Sequence, residues 1–284
     1  MDFSNVILFL QSHTLDSVKL FQPELWLSGT VVLLLAIRLP RWGRAIDPAL
    51  VAMLGTAVAL ASQVWLVREY GPWLDETHAG RFELFTGLLV YDSFTVFVRM
   101  FLIGFVLVFL LFTKISGVPD RVASPDVYTL VLGATVGMCL MASANHLLIV
   151  FLGVEMASVP SYALAGLLKG RRKSSEAALK YAVYGAGAAG VMLYGISLLA
   201  GIAGSVHLPT IAQLLAERLP TLGQGEQMAL AVAGLMITAG LAFKLSAVPF
   251  HFWCPDVFEG ATAEVNAFLS VASKGAALAL LVRM

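Results

Sequence analysis

Charge is scarce in this chain of 284 residues. Only 13% are Asp, Glu, Lys or Arg, where soluble domains carry about 25%. That deficit, beside 59% hydrophobic residues, excludes an ordinary soluble core. The 18 Lys and Arg balance the 18 Asp and Glu, so no net field points to nucleic acid or to an acidic substrate. Cysteine is nearly absent. Cys139 and Cys254 form no CxxC pair and no Cys/His cluster, and both read as small apolar packing residues. The N-terminus lacks the basic region of a signal peptide: it opens on Asp2, and its apolar run Val6–Leu10 is short. The alternating segments of about ten residues that mark a transmembrane barrel are missing. So is any soluble domain, short-period repeat or low-complexity tract.

What is present is a succession of apolar runs of membrane-crossing length, which lipid admits as helices because helices satisfy their own backbone. The sequence predicts an all-α, polytopic transmembrane bundle of about eight spans. The first is near Leu20–Leu39, entered at Pro23, and the second near Asp47–Val67, opening on Asp-Pro. The third is near Leu88–Phe112 and the fourth near Asp126–Ala142. The fifth, near His146–Leu168, follows a very tight link. The sixth is near Ser175–Ile202, the seventh near Gln227–Phe250 and the eighth near Ala261–Met284. Between the sixth and seventh, His207–Leu219 places Leu208, Ile211, Leu214 and Leu215 on one face and reads as a short amphipathic surface helix.

Loop charge sets an orientation. Arg38, Arg41 and Arg44 follow the first span; Lys169, Arg171, Arg172 and Lys173 follow the fifth. The loops after the second and sixth spans carry no basic excess. Eight crossings put both basic loops on one side, which the positive-inside rule makes cytoplasmic, with the N-terminus outside.

Four ionisable residues fall inside spans: Glu155 in the fifth, Lys180 in the sixth, Lys244 in the seventh and Lys274 in the eighth. A charge at mid-span costs about 2.5–3.5 kcal/mol on insertion scales, so each needs a partner, water or a task. Two readings compete. In one, Glu155 pairs with a lysine and merely joins two helices, and Lys180 snorkels to the surface. In the other, the set is a proton relay. Poor hydration favours a neutral lysine and a nearby carboxylate a charged one, so changing the Glu–Lys distance moves a proton. Pro249 follows Lys244 and Pro160 follows Glu155, each by little more than a turn. A proline frees a helix carbonyl, so these positions read as helix breaks, with Ser246 beside the second as a possible lining group. The stretch GAGAAG (Gly185–Gly190) admits close approach to the sixth helix and is no nucleotide loop, since no strand precedes it. Asp92 reads foremost as a helix-end charge and secondarily as a relay member. Arg99 calls for a partner in another helix or subunit. His146 and His251 lie near helix ends; His251 is close enough to Lys244 in sequence to be a secondary candidate.

Four segments, FLGVEMASVPSYALAG, SSEAALKYAVYGAGAAGVMLYGISLL, GLAFKLSAVPFHFWCPDVFEGA and FLSVASKGAALALLVR, resemble the antiporter-like membrane subunits of respiratory complex I, closest to the N type (subunit 2 of NADH–quinone oxidoreductase). They cover the fifth to eighth spans in the family's order and spacing. Lys274 in ASKGAAL, where L- and M-type subunits and sodium–proton antiporters usually place histidine, favours the N type. The resemblance implies that Glu155 is the essential glutamate and Lys244 its salt-bridge partner on a broken seventh helix. It makes Lys274 the central lysine that passes protons along the membrane middle, and puts Lys180 between them. It further implies a redox-driven translocase in which NADH oxidation, quinone (ubiquinone) reduction and electron transport occur elsewhere in the complex. That complex uses NADH, FMN, iron–sulfur clusters and quinone, and no cofactor is held by this subunit. Expected partners are the other membrane subunits, lipid, protons and water, with no nucleic acid, in a bacterial cell inner membrane.

Two departures stand out. Thr262 and Glu264 replace prolines common before the eighth helix, and Glu264 faces either a helix N-terminus or a cytoplasmic inlet. The family has two inverted five-helix repeats, whereas this chain divides into an N-terminal three-helix segment (1–115) and one repeat (116–284), so it looks C-terminally truncated. A cation–proton antiporter of the same superfamily and a passive membrane scaffold are the competing functions.

Overall fold

The computed structural model describes residues 14–39, 46–76, 81–117, 124–168 and 170–284. The run Val6–Leu10 and the basic residues Arg41, Arg44 and Lys169 lie outside them. A short helix α1 (Thr14–Leu20) bends by 74° into α2 (Gln22–Ile37). Then come α3 (Pro48–Glu76), the strands β1 (Arg81–Leu84) and β2 (Leu89–Asp92), and α4 (Ser93–Ser116). The remaining half holds α5 (Ser124–Ala142), α6 (Leu147–Ala165), α7 (Arg172–Ala203), the surface helix α8 (Leu208–Arg218) and α9 (Gln224–Leu245). It ends with α10 (Trp253–Gly260), α11 (Ala263–Phe268), one π turn (Leu269–Ser273) and α12 (Lys274–Arg283). Among the described residues, seven helical segments are long and apolar enough to cross a membrane, or eight if the bent α1–α2 pair is one span. The all-α polytopic bundle expected from hydropathy is therefore the observed architecture.

Glycine brings the neighbouring helices together. A Cβ on Gly137 of α5 would lie 2.6 Å from the Ala157 amide of α6, and one on Gly195 of α7 would lie 2.8 Å from the Ala233 carbonyl of α9. Small residues at such crossings let backbones touch, which is how helices gain packing energy in lipid. Ion pairs tie the connections at each end of the bundle. At one end Arg38 pairs with Asp126, Lys114 with Asp47, and Lys173 with Glu259. Arg38, after α2, and Lys173, after α6, thus share one end, as eight crossings require. Glu264 opens on the same end, in a crevice with Thr113, Val127, Leu164 and Thr262.

The other end differs from expectation. The predicted third span began at Leu88, but Leu89–Asp92 is a strand, paired antiparallel with β1 in the register Phe82 to Tyr91. Phe85, Thr86 and Gly87 take positive φ in the turn between them. The hairpin is sewn to the tight α5–α6 link: Val90 N–H donates to the Ser143 carbonyl at 2.8 Å and Asn145 N–H to that of Leu88 at 3.2 Å. Asp92 then caps α4, accepting from the Thr95 amide at 2.8 Å. Its carboxylate also receives Arg283 from the last turn of α12, with Nη1 at 2.6 Å, while Arg283 Nε donates to the Ala142 carbonyl at 2.8 Å.

Candidate functional site at the broken helix

The seventh predicted span is broken, as expected, but the break has a defined construction. Helix α9 stops at Leu245, and Ser246 turns left-handed with φ 57°. Its amide donates to the Phe243 carbonyl at 3.0 Å, and the Ala247 amide donates to that of Ala242 at 2.8 Å. Trp253, opening α10, adds its indole N–H to the Phe243 carbonyl at 3.1 Å. The carbonyls expected to be freed at the break are thus largely satisfied within it. The Ser246 hydroxyl is the group left over, buried and with no hydrogen bond to a described residue.

Lys244 is the penultimate residue of α9, directly before this break, and is 3% exposed. The expected direct salt bridge to Glu155 is not present. Lys244 Nζ donates instead to the Ser158 hydroxyl at 2.9 Å, and that hydroxyl donates its own hydrogen bond to the Val154 carbonyl at 2.6 Å. Glu155 and Ser158 are three residues apart on α6 and therefore share a face. Glu155 is half-buried, near enough to Lys244 for their charges to interact, and makes no hydrogen bond or ion pair to a described residue. The ammonium is thus held by a neutral hydroxyl one helical turn from the carboxylate.

Pro160 does not break its helix. Helix α6 runs unbroken from Leu147 to Ala165 with the proline inside it. Proline forgoes one backbone bond, a loss that a packed membrane helix accommodates. Only Pro249 stands in an interruption.

The other lysines meet the second half of the broken helix. Lys180 of α7 pairs with Glu176 at 2.8 Å on its own helix and with Asp256 of α10 at 2.9 Å. Its carboxylate partners are therefore outside the expected Glu155–Lys244 set. Lys274 begins α12 directly after the π turn and is half-buried, with its ammonium 5.6 Å from the centre of the Phe258 ring on α10. Asp256 and Phe258 are two residues apart and so face different sides of α10. Lys244 belongs to α9, and Lys180 and Lys274 each touch α10, so the broken helix contacts all three lysines. Aromatic rings bind it to its neighbours: Tyr181 stacks on Trp253 at 4.2 Å and meets Tyr162 edge-on at 4.7 Å. Tyr162 lies over Gly185, where a Cβ would fall 2.1 Å from its hydroxyl, so the first glycine of GAGAAG makes room for a tyrosine of α6.

His251 is exposed in the turn, and Asp92 is engaged by Arg283 at the far end. His146 caps α6 by accepting from the Leu148 amide at 3.1 Å. Arg99 finds its partner within the chain, Glu24 of α2, at 2.6 Å. Sequence reasoning passed over Ser158, Asp256, Glu24 and Arg283. Only Ser158 carried a signal, its three-residue spacing from Glu155. Among the described residues no cluster of three or more His, Cys, Asp or Glu is placed to hold a metal.

Residues 144–284 match the family model described as NADH:quinone oxidoreductase/Mrp antiporter, transmembrane. NADH-quinone oxidoreductase subunit N 2 of Sorangium cellulosum is 36% identical over 282 residues, covering 96% of this chain and 54% of the relative. Subunit N of Chlorobium chlorochromatii is 37% identical over 269 residues, 94% of this chain and 50% of the relative. Respiratory complex I from Thermus thermophilus with bound aureothin contains a chain that superposes with a TM-score of 0.71 at 31% identity, covering 92% of this chain and 53% of that one. A chain of the Mrp complex from Dietzia sp. shares the fold, with a TM-score of 0.70 at 23% identity over 95% of this chain and 48% of that one. The chain spans about half the length of the curated relatives it matches. On these matches, residues 144–284 belong to the NADH:quinone oxidoreductase/Mrp antiporter transmembrane family, and the chain along nearly its whole length is similar to N-type subunits of NADH–quinone oxidoreductase.

Proposed function

We propose that the chain serves in an N-type membrane subunit of NADH–quinone oxidoreductase and couples electron transfer from NADH to quinone to proton translocation. One observation carries this reading: a buried ammonium, Lys244, stands at a helix break and is held by the Ser158 hydroxyl, one turn from the Glu155 carboxylate. Purely structural glue would place the carboxylate on the lysine, since an ion pair left apart in a low-dielectric interior gives up most of its attraction. The present arrangement is one of two available to the same lysine. Moving Lys244 from Ser158 to Glu155 changes which protonation state is favoured, and the break supplies the backbone freedom. Because α10 also touches Lys180 and Lys274, a shift of the broken helix alters the surroundings of all three lysines together. Protons enter from the basic end, near Glu264, and pass from Lys180 and Lys244 toward Lys274. Segment 116–284 carries this relay and 1–115 supports it.

The basic end faces the cytoplasm and the hairpin end lies outside, in a bacterial cell membrane beside the other membrane subunits of the complex. Redox chemistry, with its FMN, iron–sulfur clusters and quinone, resides in those partners.

The test places Glu155→Gln and Lys244→Met separately in the assembled complex in proteoliposomes and measures NADH–quinone electron transfer beside proton movement. The expected result is intact assembly with fewer protons moved per electron. Loss of assembly alone would make the charges a scaffold. Cation-dependent transport without quinone would make the protein an antiporter.

A further inference from the structure

We propose that Glu24, Gln63, Tyr91 and Arg99 enclose a buried water-binding site at the bend between α1 and α2. All four side chains are fully buried at 0% exposure. They come from four different elements: α2, α3, β2 and α4. Arg99 is the centre. Its Nε meets the Glu24 carboxylate at 2.6 Å, and its Nη1 donates to the Leu20 carbonyl, the last residue of α1, at 3.3 Å. Cation and acid therefore each meet the helix end they suit, Arg99 at the C-terminus of α1 and Glu24 in the first turn of α2. This accounts for the ion pair as the clamp on the 74° bend.

The clamp leaves polar atoms over. Arg99 Nη2, both ends of the Gln63 amide and the Tyr91 hydroxyl have no hydrogen bond to a described residue. Gln63 and Tyr91 are within interaction reach of each other without meeting in hydrogen-bond geometry. The guanidinium also lies against the Tyr91 ring, 5.8 Å from its centre. Each buried donor or acceptor left unpaired costs about 1–3 kcal/mol. The second Glu24 carboxylate oxygen, Oε2, is likewise without a hydrogen bond, so the remaining set is two donors, two acceptors and one hydroxyl of either role. Water both donates and accepts, and buried waters take two to four such partners. Nothing apolar satisfies this set, and no charge is needed, because Glu24 and Arg99 already balance. The residues three positions on, Leu27, Leu66 and Leu102, are also fully buried and seal the polar layer on the same helix faces.

X-ray radiolytic footprinting of the full-length protein in lipid nanodiscs tests this. Hydroxyl radicals form from water in place, so a fully buried side chain is labelled only where water touches it. Tyr181, 1% exposed and stacked between rings, is the dry reference. The expected result is Tyr91 labelled several-fold faster than Tyr181, falling to the Tyr181 rate in Gln63→Leu. Equal rates for the two tyrosines in the unsubstituted protein would overturn the proposal, and that comparison stands even if the variant does not fold. Tyr91 labelling unchanged in a folded Gln63→Leu would overturn it as well.

Discussion

The Lys244 ammonium donates a hydrogen bond to the Ser158 hydroxyl at 2.9 Å and not to Glu155, three residues before Ser158 on the same helix face. A neutral partner tolerates both the charged and the neutral lysine, since a hydroxyl both donates and accepts. A carboxylate partner favours only the charged form. The pair of alternatives, one turn apart, is what the proposed relay would use as its two states.

Ser158→Ala should therefore separate pumping from folding. The variant leaves a buried ammonium without its hydroxyl, an effect of about 1–3 kcal/mol. Lys244 then has Glu155 as its remaining neighbour and stays charged. We expect the complex to assemble and the number of protons moved per electron to fall, with Ser158→Thr restoring most of it. Proton movement and electron transfer measured together in proteoliposomes check this, and normal coupling in Ser158→Ala would remove Ser158 from the relay.

Asp92 and Arg283 predict a pH dependence at the hairpin end. Burial opposes ionisation of Asp92, but hydrogen bonds from Arg283 and from the Thr95 amide outweigh it and hold the carboxyl below its usual range. A carboxyl depressed in the folded state binds its proton more weakly there than in the unfolded chain. Its stabilisation is thus full above the ordinary carboxylate range and is lost as pH falls through the depressed value. Thermal unfolding in detergent, followed from neutral pH down into the acid range, should show this loss. Asp92→Asn should be less stable at neutral pH and should flatten the acid limb, while a parallel acid limb in both proteins would refute the assignment.

The apolar spans, and the break at Pro249, were legible because each rests on local pattern: run length, and a missing amide. What stayed hidden depends on partners distant in sequence. Nothing near Lys180 announces Asp256, 76 residues on, and nothing near Arg99 announces Glu24. The hairpin was obscured by hydropathy, since LLVYD is apolar enough to extend the helix after it. Its signals were the turn Phe85-Thr86-Gly87 and the alternating RFEL. Pro160 misled in the opposite sense, because a proline alone does not say whether packing will keep the helix continuous. The π turn before Lys274 changes no residue type and leaves no mark in sequence.

The clamp at the α1–α2 bend makes a prediction about stability alone. Arg99→Met leaves the Glu24 carboxylate buried without its cation, and breaking such a pair from one side costs about 3–5 kcal/mol. Replacing both partners, Glu24→Leu with Arg99→Met, should recover most of that loss. Unfolding midpoints in a graded detergent series give the comparison. If the double variant is no better than the single one, the charges are not each other's main partners.

Helix approach gives the last prediction. Gly137→Ala puts a methyl carbon 2.6 Å from the Ala157 amide, and Gly195→Ala puts one 2.8 Å from the Ala233 carbonyl. In both cases the obstacle is backbone, which cannot swing aside as a side chain would, and overpacking of this kind costs about 1–3 kcal/mol. Gly187→Ala adds the same methyl to α7 where nothing lies within 4 Å. There the gain in helix propensity, roughly 0.8–1 kcal/mol, stands alone. The two crossing variants should lower the unfolding midpoint and the Gly187 variant should hold or raise it, all read in one detergent series. Gly195→Ala carries a functional consequence as well, because α9, which α7 packs against, holds Lys244. Pushing α9 away at Ala233 displaces the helix leading to the break, so proton movement per electron should drop in the Gly195 variant even where assembly survives.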